Sequence, residues 1–175
     1  MECDLWIFAY GSLVWRPDFP FAEACAGTVV GWKRRFWQGS IDHRGVPEAP
    51  GRVVTLVESP GASCAGVAFR VARAQRDAVL SRLDSRESGG FDRCDVSVTL
   101  RRPRATRVHA LTYIAPSCNP NYLGPAPVET IAAQVRGSRG PSGPNAEYVL
   151  RLADSLRGLG LEDDHVFALA DLLEA

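Results

Sequence analysis

The chain has 175 residues, 46% of them apolar, and its 20 basic residues are balanced by 20 acidic ones. Zero formal net charge and a sequence pI near 6.8 argue against nucleic acid, an anionic membrane or a strongly acidic partner. No apolar run approaches the roughly 20 residues of a bilayer span, and the start, Met1, Glu2, Cys3 and Asp4, lacks the basic stretch of a secretion signal. The expectation is a cytoplasmic protein folded as one domain over 1–175, long enough to bury about 70% of its unfolded surface.

The first element is the apolar run Leu5–Ala9, read as a buried strand. It stops at Tyr10-Gly11-Ser12-Leu13, a loop whose backbone N–H groups can face a cavity and hold a carboxylate. Gly11 permits close approach of a ligand, and the hydroxyls of Tyr10 and Ser12 are polar handles beside it. Four residues are also what any strand followed by an ordinary turn would show.

Residues 14–21 contain two prolines and three aromatic residues and read as an irregular cover for one end of the core. Residues 29–38 alternate as a strand with one wetter face, on which the Lys33-Arg34-Arg35 triplet reads as solvated charge rather than a phosphate-binding patch. Residues 39–51 are loop by composition and gather Ser40, Asp42, His43 and Arg44. A nucleophile set made from Ser12 or Ser40 with Asp42 and His43 lacks a G-x-S-x-G elbow, so a hydrogen-bonded pocket wall is the better expectation.

Further strands are expected over 52–58, 66–71, 94–100 and 109–114, for six or seven in all, with a short amphipathic helix over 74–83. That helix leads into Asp84, Ser85, Arg86, Glu87, Ser88 and the pair Gly89-Gly90. Two carboxylates three residues apart before a flexible diglycine suit a lid carrying an acid/base, although solvated charges in a polar turn look the same without burial.

The last third is helical. Val128, Ile131, Ala132 and Val135 form one apolar stripe ended by Gly137; Val149, Leu152, Ala153 and Leu156 form a second, with Asn145 as candidate N-cap. Val166, Leu169, Ala170 and Leu173 form a third, preceded by Glu162, Asp163 and Asp164 near its positive end. His43, His109 and His165 show no metal-ligand spacing, and five scattered cysteines without a CxxC pair read as mostly buried apolar residues in a reducing compartment.

Five stretches, FAYGSLVWRPDF, GWKRRFWQGSIDHRGVPEAPGRVVTLV, LDSRESGGF, NPNYLGPAP and GPSGPNAEYV, occur in this order. Together they resemble the ChaC family of glutathione-specific gamma-glutamylcyclotransferases over nearly the whole chain. The resemblance implies an α+β fold, a small mixed β-barrel with flanking helices. It implies a lyase of glutathione degradation that releases 5-oxoproline and cysteinylglycine, with no cofactor or metal, and it names no protein partner.

Carried over by position, the resemblance makes Glu87 the catalytic acid/base within an arginine-glutamate-x-glycine-glycine motif. It gives the substrate's carboxylate and amine to Ile7, Phe8, Ala9, Tyr10, Gly11 and Ser12, with Leu13 closing the apolar side of that substrate-binding loop, and it places Arg35, Arg44 and Tyr122 near the pocket. Ala9 stands where the family usually shows glycine, and Ser88 where it often shows a basic residue. The former is expected to narrow the pocket or shift the loop, the latter to adjust the pKa of Glu87. Two other readings remain open at this level: cyclisation of other gamma-glutamyl amino acids or amines, and a non-catalytic regulator that binds glutathione or a peptide.

Overall fold

The computed structural model describes residues 4–175; Cys3 lies outside the described residues. Strand β1 (Leu5–Ala9) pairs antiparallel with β3 (Gly51–Val71), which pairs antiparallel with β2 (Glu23–Ser40). β2 continues to β4 (Asp92–Leu100), β4 to β5 (Thr106–Ile114), and a parallel contact between Ile7 and Leu111 closes the barrel. One parallel junction among antiparallel ones makes this the expected mixed barrel.

The expected strands 52–58 and 66–71 are one strand here, so the barrel has five strands. Both halves of β3 run along the same partner: Trp32 opposes Glu58 and Val30 opposes Ser63, so the residues between are absorbed as a register shift. Pro60 and Gly61 read as a strand break by composition, yet an irregularity in a long hairpin accommodates both.

Alternation along β1 serves two cores. Phe8 and Tyr10 join a cluster with Phe36, Leu56 and the apolar stripes of the C-terminal helices. Ile7 and Ala9 face the other way and pack with Val79, Leu80 and Leu83 of α1 (Arg76–Arg86). The C-terminal helices are α2 (Val128–Gly137), α3 (Asn145–Gly158) and α4 (Asp164–Glu174), with a two-residue ladder of β6 (Arg139–Gly140) and β7 (Gly143–Pro144) before α3.

Three local expectations change in the folded chain. Arg34 is not solvated: its side chain is 0% exposed, 2.8 Å from the Asp163 carboxylate, and it also donates to the Ala65 carbonyl. Asp163 in turn accepts from Val166 N–H at 3.0 Å as the N-cap of α4, so one carboxylate ties β2 to that helix. Asn145 does not cap α3. It is fully buried and brackets the Arg52 backbone, accepting from its N–H at 2.7 Å and donating to its carbonyl at 2.8 Å. Of the described cysteines, Cys64 is buried, Cys25 and Cys94 are half-buried, and Cys118 is exposed in the turn before Asn119. Among the described residues no helix is long and apolar enough to cross a membrane.

Candidate active site

β1, the loop that follows it, the end of α1 and the start of α3 converge on a cavity of about 390 Å³. This lies within the range of about 300–1,000 Å³ usual for small-molecule sites. The loop after β1 turns through a short 3₁₀ segment, Ser12–Val14, anchored by buried Leu13. Val14 and Arg16 N–H groups donate back into that turn, to the carbonyls of Gly11 and Ser12. The N–H groups of Gly11, Ser12 and Leu13 find no acceptor among the described residues, and all three residues line the cavity. Unpaired amides converging on one space form an anion-binding concavity.

The helix end supplies the carboxylate. Glu87 N–H donates to Leu83 O at 2.8 Å as α1 terminates, which sends the side chain into the cavity, only 18% exposed. Burial raises its pKa; the neighbouring Arg86 guanidinium opposes that rise and Asp42 adds to it. The other carboxylate of the pair has the opposite environment. Asp84 accepts from Arg93 and, at 2.7 Å, from the Tyr113 hydroxyl, and these bonds hold its pKa below the usual range. Two carboxylates three residues apart are therefore separated into a held anion and a group that takes up a proton more readily.

The diglycine after Glu87 is packed into place. Gly90 has φ of 94°, and a Cβ there would lie 2.3 Å from the Asn119 amide nitrogen, which donates to Gly90 O at 2.7 Å. Gln38 reaches Gly89 O at 3.4 Å from β2. Gly90 allows close approach of Asn119, and both glycine carbonyls are anchored rather than forming a free hinge.

Arg86 joins the two halves of the site. Its guanidinium donates to Ser12 Oγ at 2.9 Å, to Arg16 O at 3.0 Å and to Asp18 at 3.0 Å, while Nε lies 3.7 Å from Glu87. The Ser12 hydroxyl is thereby an acceptor for Arg86, not a free nucleophile. Ser40 Oγ likewise accepts from Arg44 N–H at 2.9 Å. His43 meets Ser142 at 3.4 Å and Asp42 at 3.8 Å, both at the exposed mouth, so the imagined Ser/His/Asp set is not assembled.

Seven of the residues singled out from the sequence for substrate contact line the cavity: Phe8, Ala9, Tyr10, Gly11, Ser12, Leu13 and Arg44. Three do not. Ile7 is buried under α1, Arg35 is half-buried with its guanidinium on the Arg34 carbonyl, and Tyr122 sits on a bridge to Gln38. The Tyr10 hydroxyl lies deep in the wall and donates to Tyr113 O at 2.6 Å, so its proton is already committed.

The phenol nearest the loop is instead Tyr148 of α3. A Cβ on Gly11 would lie 3.0 Å from its oxygen. Its ring is held edge-on by Trp15 and Phe36, and burial raises its pKa, so it stays a protonated hydroxyl. Tyr148 falls in the quoted GPSGPNAEYV stretch, but its helical spacing reads as core, and nothing local aims it at residues so far back in the chain. His165 is a structural contact: Nε2 accepts from Phe36 N–H at 3.2 Å, and burial brings its pKa down to about 4. Among the described residues no cluster of three or more His, Cys, Asp or Glu side chains is placed to hold a metal.

The family model described as ChaC-like protein matches residues 5–175. A human protein named glutathione-specific gamma-glutamylcyclotransferase 1 is 47% identical over 171 residues, covering 95% of this chain and 77% of the relative. The Escherichia coli (strain K12) glutathione-specific gamma-glutamylcyclotransferase is 35% identical over 172 residues, 98% of this chain and 72% of the relative. The crystal structure of a selenomethionine-labelled gamma-glutamyl cyclotransferase specific to glutathione from yeast superposes with a TM-score of 0.91 at 24% identity, covering 99% of this chain and 96% of that one, a likeness of fold. A match along nearly the full chain, on a barrel whose loop and carboxylate share one cavity, establishes that this protein belongs to the ChaC-like family.

Proposed function

We propose that the protein is a glutathione-specific gamma-glutamylcyclotransferase that converts glutathione to 5-oxoproline and cysteinylglycine. The observation that carries the reading is the Glu87 carboxylate, shielded from water, in the same cavity as the unpaired amides of Gly11, Ser12 and Leu13. The relatives named for this activity support the substrate.

In this reading the loop amides grip the glutamyl α-carboxylate and bend the chain so that its amine approaches its own γ-carbonyl. Holding the atoms about 3–3.5 Å apart supplies much of the rate without a protein nucleophile. The amine nitrogen bonds to the γ-carbon, a five-membered lactam closes, and the bond to the cysteine nitrogen breaks. Glu87 takes a proton from the glutamyl ammonium and returns one to the departing amine. A pKa raised toward the operating pH suits one carboxylate to both duties. The Tyr148 hydroxyl, next to Gly11, is the donor suited to the developing oxyanion.

The reading also places one domain over 1–175 in the cytoplasm, acting on a small molecule and not on nucleic acid or membrane. Support comes from balanced charge and from five scattered cysteines without a CxxC pair. The experiment is 5-oxoproline release from glutathione and from a panel of gamma-glutamyl amino acids and amines, run on wild type and Glu87→Gln. Turnover of glutathione alone by wild type is the expected result. Equal turnover across the panel shifts the substrate to gamma-glutamyl compounds at large, and binding of glutathione without product identifies a regulator.

A further inference from the structure

The cavity holds a second place for an anion, built differently from the amide loop. Arg44 follows β2 and presents its guanidinium to the cavity with a side chain only 11% exposed. One of its amino groups, Nη1, donates to Pro144 O at 3.1 Å and to Glu147 at 3.2 Å, and the guanidinium lies 6.0 Å from the Tyr148 ring centre. Nη2 and Nε have no partner among the described residues, yet neither is sealed from solvent, as the Nε of Arg34 is.

The other cavity guanidiniums are differently placed. Arg86 spends both amino groups on Ser12, Arg16 and Asp18, while Arg16 and Arg151 are more than half exposed. Arg44 is thus the shielded guanidinium with donors to spare, a fork that matches a carboxylate.

Charge and rigidity favour the same role. Glu147 is shared between Arg44 at 3.2 Å and Arg151 at 2.8 Å, so two cations face one carboxylate and one positive charge is left over. Asp42, the nearest other acid on the Arg44 loop, is turned to His43 at 3.8 Å and acts on Glu87. The Arg44 backbone is anchored on both sides of the peptide. Its N–H is held by Ser40, and a Cβ on Gly51 would fall 2.3 Å from its carbonyl oxygen.

We infer that Arg44 is the specificity-determining residue for the terminal carboxylate of the leaving dipeptide, so that the site selects gamma-glutamyl substrates carrying a C-terminal acid. The inference rests on the cyclotransferase reading above. If the loop amides take the glutamyl carboxylate, the remaining anion of an extended tripeptide lies roughly 10 Å away. Tyr148 links the two places, its hydroxyl beside Gly11 and its ring centre 6.0 Å from the Arg44 guanidinium. The same contact fails for a gamma-glutamyl amine, which has nothing to offer the fork.

The test compares glutathione with its C-terminal amide, which keeps the glutamyl end and the scissile bond. Wild type should prefer glutathione in kcat/KM on the order of 10- to 100-fold, the value of a charge-assisted hydrogen bond. Arg44→Gln should reduce that preference to less than about 3-fold by slowing glutathione alone. Arg44→Lys, which keeps charge without the fork, should fall between. Wild type that fails to distinguish acid from amide overturns the inference. So does an Arg44→Gln protein that slows both substrates equally, since Arg44 then serves the glutamyl end or the fold. If neither substrate yields 5-oxoproline, the cyclotransferase reading fails. Calorimetric affinities of wild type for the two ligands then decide the Arg44 contact by themselves, tighter acid supporting it and equal binding overturning it; this comparison also stands if the variants do not fold.

Discussion

Arg86 donates to Ser12 Oγ at 2.9 Å while its Nε stands 3.7 Å from Glu87 Oε1. One side chain therefore ties loop 10–13 to the Glu87 carboxylate, the two parts to which the proposed reaction gives substrate binding and proton transfer. Arg86→Gln should lower kcat/KM by about 100-fold, the usual cost of a misplacement near 1 Å. It should also move the acid limb of the pH–rate profile upward, because Arg86 pulls the Glu87 pKa down while burial and Asp42 raise it. A lower rate with an unmoved limb would show that Arg86 serves only the loop.

Replacing Glu87 by glutamine should cost at least about 100-fold in turnover, with glutathione still bound. Stability should change in the other direction. The folded-state pKa of Glu87 is raised by burial, so its protonated form favours folding and that contribution is lost as pH rises through the folded value. The glutamine variant should thus have a higher Tm than wild type at pH 7–8. The gap should close as pH falls toward about 4.3, the ordinary glutamate value. Equal Tm values at both ends of that range would contradict the shielded position of this carboxylate.

Gly11→Ala probes the floor of the loop. The added Cβ meets Tyr148 Oη and Val54 Cγ2, each at 3.0 Å, so the phenol must give way. The expected result is a loss of at least about 10-fold in kcat/KM with a change in Tm smaller than that of a core cavity mutant. Steady-state kinetics beside a thermal melt makes the comparison; wild-type kinetics would remove Tyr148 from the site.

Asp163 carries two structural duties, the ion pair to buried Arg34 and the cap on Val166 N–H. Asp163→Ala leaves a buried cation unpaired and should destabilise by about 3–5 kcal/mol. Asp163→Asn can keep the cap while removing the charge, so its loss measured by denaturant should be smaller than that of alanine by about 1 kcal/mol, the value of an N-cap.

Much of the architecture was legible locally. Alternation in 94–100 and 109–114 and the apolar stripes of the three C-terminal helices each report a face that must be buried, and those elements are present. Errors arose where a residue's partner lies far along the chain. Pro60 and Gly61 signal a break unless β2 is known to continue opposite them. Arg34 reads as solvated until Asp163 arrives from α4, and Asn145 reads as a cap until Arg52 occupies its amide.

The site divides in the same way. Local pattern alone left loop 10–13 readable as an ordinary turn and Glu87 as a solvated charge; the order of five stretches along the chain, through the resemblance they carry, singled both out. Which of Asp84 and Glu87 is shielded was decided only by folding: Arg93 and Tyr113 claim the first, and cavity walls from β1 and α3 enclose the second. Tyr148 and the open donors of Arg44 belong to that tertiary layer too. Burial and charge pairing are properties of the space between segments, and no single segment contains them.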